Sequence, residues 1–230
     1  MILILIVVGF GVLGYVVSSK LKSKFNKYSQ ITLQANLSGK EVAELMLADN
    51  NISNVTVNCV EGQLSDHYNP ANKTVNLSSE VYYGRNAAAT AVAAHECGHA
   101  IQHATSYAWL SLRSALVPIQ NASGKILNIV LIGAIFGGIA LFGLPYEAVG
   151  AIVVGSYGIL TLFSLVTLPV EFDASRRALV WVQQRNIVTQ SEYSMSKDAL
   201  KWAAMTYVVA ALASLATLAY YAFIFFGNRD

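Results

Sequence analysis

Charge is the scarcest thing in this chain. Asp, Glu, Lys and Arg make up 12% of its 230 residues, while 55% are hydrophobic. A soluble domain carries about a quarter charged residues, so an ordinary soluble fold is excluded. The few charges avoid four apolar stretches, 2–17, 126–144, 148–168 and 203–226, which read as membrane spans. The marks of a cleaved leader are missing too. No basic residue precedes the first apolar run and no A-x-A-like exit follows it. Lys20, Lys22, Lys24 and Lys27 come next instead, so the run is expected to stay as an anchor. Cysteine is limited to Cys59 and Cys97, which excludes a disulfide framework. A net charge of +2 argues against nucleic acid as a partner. Neither 126–144 nor 148–168 contains Asp, Glu, Lys or Arg, whereas a transport pathway normally shows one. Metal transport is therefore the weakest reading.

The basic residues that exist are unevenly placed. Residues 19–125 hold Lys20, Lys22, Lys24, Lys27, Lys40, Lys73, Arg85, Arg113 and Lys125, and residues 171–201 hold Arg176, Arg177, Arg185, Lys197 and Lys201, leaving only Arg229. Four spans put both segments on one side. By the positive-inside rule that side is the cytoplasm, with both termini outside. The expected organisation is an anchor at 1–18, a cytoplasmic α+β segment at 19–125, a helical hairpin at 126–170, a second cytoplasmic segment at 171–201, and a last span with an outer C-terminus at 202–230.

What is present is concentrated in 86–103, NAAATAVAAHECGHAIQH. Asn86 can cap a helix, and the alanines after it are the best helix formers. Within lies H-E-x-x-H: His95, Glu96 and His99. Four residues apart, two imidazoles share one helix face and can share one zinc ion. Glu96 beside them can act as base toward a water at the metal without being a ligand. Only about eight small residues precede His95, too few for this helix to span a bilayer. The site is expected at the membrane surface, where the reduced thiol of Cys97 suits the cytoplasm.

Upstream, Ser38-Gly39-Lys40-Glu41 is a capping box opening a helix to about Ala48. Residues 55–57 and 73–77 read as short strands. The segment 64–70, LSDHYNP, reads as a turn-rich loop carrying His67 and Tyr68, either self-bonded or at the site. The strand 73–77 is expected to offer an edge for an extended substrate. Downstream, 107–119 forms an amphipathic stretch, lying in the membrane interface or packed on protein.

A catalytic zinc needs a third protein ligand and an open position. The metzincin pattern requires glycine and histidine where this chain has Gln102 and Thr105. His103 continues the helical ladder, but a straight helix cannot curl three turns around one ion. Glu171 is the first charge after the hairpin, with the small residues Ala174 and Ser175 on its face. Either it opens a helix as a favourable N-terminal acid, or it completes a gluzincin set delivered by a second helix. Asp173, two residues on, points elsewhere.

The segments SGKEVA, LSDHYNP, KTVNLS, VAAHECGHAIQH and PVEFDASRRA together resemble the YugP-like neutral zinc metallopeptidases, a bacterial membrane family. The resemblance runs over nearly the whole chain. It implies a membrane-bound zinc peptidase with His95, His99 and Glu171 as ligands and Glu96 as acid/base. The layout is more distantly similar to HtpX and CAAX-processing peptidases. Those carry E-x-x-A-D, whereas this chain has Ser175 in place of the aspartate that orients a ligand histidine; Ser175, Asp173 or a backbone carbonyl must substitute.

The expected fold is a mostly α membrane protein with four transmembrane helices and a small α+β, minimal-gluzincin-like cytoplasmic domain. The expected function is zinc-dependent endopeptidase action on peptide or membrane-protein substrates at the plasma membrane. Tyr68 and His67 are the first candidates to donate to the oxyanion, with Tyr193 and Arg177 behind them. The alternative is a non-catalytic, zinc-stabilised scaffold or regulator, in which His67 or Asp173 would supply a fourth ligand.

Overall fold

The computed structural model describes residues 1–136 and 143–227. Residues 137–142, part of the second expected span, lie outside the described residues, as does Arg229. Seven helices and three strands follow in the order α1 (Ile2–Ser29), α2 (Gly39–Asp49), β1 (Thr56–Val60), β2 (His67–Asn69), β3 (Thr74–Ser78), α3 (Ser79–Tyr82), α4 (Ala87–Ala104), α5 (Ala108–Phe136), α6 (Tyr146–Gln184) and α7 (Gln190–Phe226). Among the described residues, α1, α5, α6 and α7 are long and apolar enough to cross a membrane. The protein is thus mostly helical, with one small sheet.

The apolar runs are only parts of these helices. The amphipathic 107–119 stretch is not a separate interfacial helix but largely the opening of α5, which continues through Pro118. Pro118 removes one backbone donor without ending the helix. Glu171 does not open a helix either, because α6 has been running since Tyr146. That removes the helix-start reading of its charge.

Contacts divide the chain into two units. One comprises Met1–Tyr15, Leu112–Leu168 and Tyr207–Asp230. Within it Val149, Val153 and Phe225 form a buried cluster flanked by Leu127, Val130 and Tyr221. Gly150 matters here, since a Cβ on it would lie 2.5 Å from the Phe225 ring. Gly9, Gly11, Gly14, Gly155 and Gly158 have nothing within 4 Å of such an atom, so they mediate no close helix contact among the described residues.

The other unit, Val16–Ser111 and Pro169–Thr206, carries the sheet and the H-E-x-x-H helix. Its core joins Val42, Ala43 and Met46 of α2, Val75 and Leu77 of β3, the alanines of α4, and Ala178, Val182, Ala199 and Leu200 from α6 and α7. Each large side chain fully buried there contributes about 1.5–3 kcal/mol. Small residues on α4 bring α2 close. The capping box of α2 is formed, Ser38 Oγ accepting from the Glu41 N–H while the Glu41 carboxylate accepts from the Ser38 N–H. Asn86 Oδ1 accepts from the Ala89 N–H at 2.9 Å and starts α4.

Two expectations about the sheet are corrected. The strand order is β1-β3-β2, with β1 parallel and β2 antiparallel to β3. Residues 74–77 of the expected strand therefore belong to the central strand β3, whose five residues Thr74–Ser78 are all buried, and offer no edge. The expected loop at 64–70 contains β2, His67–Asn69. Three residues are too few to show alternation, and the strand exists because β3 pairs with it. The Asp66 carboxylate pins its start, accepting from the Ser78 N–H at 2.7 Å and from Ser78 Oγ at 3.2 Å. Burial pushes that carboxyl above its usual range.

Candidate metal centre

Helix α4 is buried on almost every side, and its closest neighbour at the site is α6. A Cβ on Gly98 would stand 2.6 Å from the Ala174 carbonyl oxygen. Backbone therefore meets backbone at this point, as only glycine permits. The approach delivers Glu171, one turn before Ala174, to the imidazoles. Glu171 Oε2 is 3.3 Å from His95 Nε2 and 3.5 Å from His99 Nε2. One ligand atom from each of these residues lies within 4.8 Å of the others, so the three could hold a metal ion. His99 and Glu171 are buried and His95 nearly so.

The electrostatics favour a ligating carboxylate. Burial alone would raise the Glu171 carboxyl, but hydrogen bonds and charge from His95 and His99 outweigh it and hold the group far below the ordinary range. Burial likewise pulls His99 down, and the Glu171 and Glu96 carboxylates outweigh it, so the imidazole sits above its usual value.

The donor set fits zinc in a way that can be tested on one ring. His99 Nδ1 is 3.0 Å from Gln102 Oε1. The amide orientation is settled by its other end, because Gln102 Nε2 donates to the Val170 carbonyl at 2.8 Å and to Asp173 Oδ2 at 3.0 Å, both acceptors. The amide oxygen must then accept from Nδ1–H, so Nε2 is the ring nitrogen left to face Glu171 and a metal ion. Gln102 is completely buried. Asp173 is fixed in turn by Arg176 and by Arg177, whose Nε lies 2.5 Å from Oδ2. Burial opposes ionisation of Asp173, and Arg177, Gln102 and Arg176 outweigh it, holding the carboxyl below its ordinary value. On the other histidine, Ser175 Oγ lies 3.1 Å from His95 Nδ1. Ser175 thus occupies the orienting position that the related motif gives to aspartate, and Asp173 reaches His99 only through Gln102.

Glu96 is buried beside this set and accepts from the backbone N–H of Tyr68 at 2.9 Å. The Tyr68 hydroxyl meets His103 Nδ1 at 2.7 Å, so Tyr68 reaches α4 at both Glu96 and His103. His67, one residue away on β2, has Nδ1 at 2.8 Å from the Ser65 carbonyl and Nε2 at 3.2 Å from Asn76 Nδ2. Both ring nitrogens are engaged there. Tyr193 packs against the core, and Arg177 is held by Asp173 and stacks over Tyr107, 5.7 Å from the ring centroid. Sequence reasoning noticed Gln102 only as a departure from another motif. Its spacing of three from His99, on the same helix face, was the available signal. Gly98 was likewise legible only once α6 was known to cross it.

Comparison with known proteins points to zinc as the metal. The family described as "Putative neutral zinc metallopeptidase" matches residues 2–226. A relative named "Putative membrane protease YugP", from Bacillus subtilis (strain 168), is 41% identical over 212 residues, covering 92% of this chain and 91% of the relative. No solved structure matches the chain.

Proposed function

We propose that this chain, which belongs to the neutral zinc metallopeptidase family, is a membrane-bound endopeptidase of the gluzincin type, with His95, His99 and Glu171 as the zinc ligands and Glu96 as general base. The observation that carries the reading is the meeting of three donor atoms from two helices within 4.8 Å, with a carboxylate of the same helix held beside them by the Tyr68 N–H.

The chemistry a zinc ion supplies when bound is Lewis acidity toward a water and a peptide carbonyl. Glu96 takes the proton of the attacking water and passes it to the leaving amine. The backbone of β2 keeps that carboxylate turned toward the site. Gln102 and Ser175 hold the two imidazoles with Nε2 facing inward. Of the two donors expected for the developing oxyanion, Tyr68 is favoured, because its backbone already touches Glu96 and its hydroxyl has only the His103 ring to leave, while the His67 ring is tied at both nitrogens to Ser65 and Asn76. An extended substrate pairs with the outer edge of β2 rather than with β3. The distribution of Lys and Arg supports a site on the cytoplasmic face.

The scaffold reading requires a fourth protein ligand. Its two candidates are bonded elsewhere, His67 within the sheet and Asp173 to Gln102, Arg176 and Arg177. The deciding experiment pairs zinc content with cleavage of a peptide substrate. Glu96→Gln should keep one zinc per chain and lose cleavage, and Glu171→Ala should lose most of the metal. Undiminished zinc in the second variant would remove Glu171 from the ligand set; undiminished cleavage in the first would remove Glu96 from catalysis.

A further inference from the structure

Within the sheet-bearing unit, α6 and α7 enclose an open groove of about 450 Å³ that meets the proposed chemistry only at Ser175. Its apolar lining includes Phe172, Leu179, Val180 and Leu200, with Phe172 48% and Val180 43% exposed. Its charged lining is Arg176, Lys197 and Lys201, with no acid among the lining residues. Asp173 pairs with Arg176, which leaves the two exposed lysines as the cations available to a ligand.

Position along the helices identifies the ligand. Phe172 lies one helical turn beyond the apolar run that ends at 168, and Lys201 stands two residues before the run that starts at 203. Phe172, Ala204 and Met205, nearest those runs, therefore adjoin the hydrocarbon; Lys201 falls in the headgroup layer, a zone only several ångströms deep, and the long Lys197 side chain reaches back to it from one turn further out. Both walls are helical, with main-chain groups already bonded, so nothing here can hold an extended peptide by its backbone. An acyl chain needs no such bonds.

We propose that the groove between α6 and α7 binds an anionic phospholipid, with the phosphate on Lys197 and Lys201 and one acyl chain leading toward the bilayer along Phe172, Ala204 and Met205. The inference rests on the membrane reading of α6 and α7 and is independent of the peptidase chemistry. Ser175 lines the groove and touches His95, so the bound lipid lies against the helix that carries Glu171.

The test uses the full-length chain in phosphatidylcholine bilayers doped with spin-labelled phosphatidylglycerol or spin-labelled phosphatidylcholine, reading the protein-immobilised fraction. Two lysines at the surface should favour phosphatidylglycerol by about tenfold or more. Lys197→Gln with Lys201→Gln should abolish the preference at unchanged zinc content. Lys20→Gln with Lys22→Gln, which removes the same charge outside the groove, should keep it. Equal association of both lipids with the native chain overturns the proposal, as does an equal loss in the two double variants. Displacement of the bound lipid by an apolar peptide would assign the groove to substrate and also overturn it.

Discussion

A histidine can offer a metal only the ring nitrogen that its other nitrogen leaves free, so the residues behind a ligand decide whether it is one. For His99 that residue is Gln102, and for His95 it is Ser175. Replacing Gln102 by leucine removes the acceptor for Nδ1–H and strips the amide from the Val170 carbonyl and the Asp173 carboxylate. Zinc affinity, measured by competition with a chelator, should fall about 10- to 100-fold, and Ser175→Ala should give a smaller loss. Ser175→Asp, which restores the E-x-x-A-D pattern, should bind zinc at least as tightly as the native chain. The proposed ligand pair was legible in the sequence because its geometry is local, two residues on one face of one helix. Glu171 was legible as the first charge after two spans that carry none. The network behind them was not, because Asp173 and Gln102 are joined by a helix crossing that no spacing encodes.

That crossing belongs to the elements. Gly98 lets α4 meet α6 at the Ala174 carbonyl, and the proposed ligand set is the product of this contact. Gly98→Ala should force the helices apart, at a cost of about 1–3 kcal/mol, and should lower zinc content although residue 98 ligates nothing. Gly14→Ala, where nothing lies within 4 Å of the added atom, should change neither zinc content nor Tm. The sheet shows where element reading stops. The strands 55–57 and 73–77 were visible in their β-branching, whereas β2 is created by its neighbour and by the Asp66 clamp, and the order that makes β3 central depends on long-range pairing. A second clamp joins α1 to α7, where Asp198 takes the Tyr28 hydroxyl at 2.5 Å and the Lys24 ammonium at 2.7 Å. Burial raises that carboxyl, and Lys24 and Tyr28 together outweigh it, so its pKa is lowered in the folded chain. A lowered carboxylate stabilises above its unfolded pKa of about 3.9 and loses that contribution as pH falls through the folded value. Asp198→Asn should therefore lower Tm at pH 7, and thermal scans should show the difference from the native chain shrinking as pH drops below about 4.

At the scale of the whole molecule the open question is which side of the membrane the site faces, and charge is what argues it. Nine basic residues fall between the first and second expected spans and five between the third and fourth, so any four-span arrangement puts fourteen on one face. Reversing it would carry all fourteen outward and leave Arg229 alone inside, against the bias that governs insertion. The two cysteines make this measurable without adding a label site. Cys59 is exposed, while Cys97 is buried in α4 with its sulfur against the Ala43 carbonyl. Burial also drives the Cys97 thiol far above its usual range, and only a thiolate reacts readily. A membrane-impermeant maleimide should thus report Cys59 alone. Intact cells should leave it unlabelled, opening the membrane should label it once per chain, and Cys59→Ser should abolish the signal. Labelling of Cys59 in intact cells would put the H-E-x-x-H segment outside. The peptidase chemistry would survive that result, but its substrates would then have to come from the other compartment.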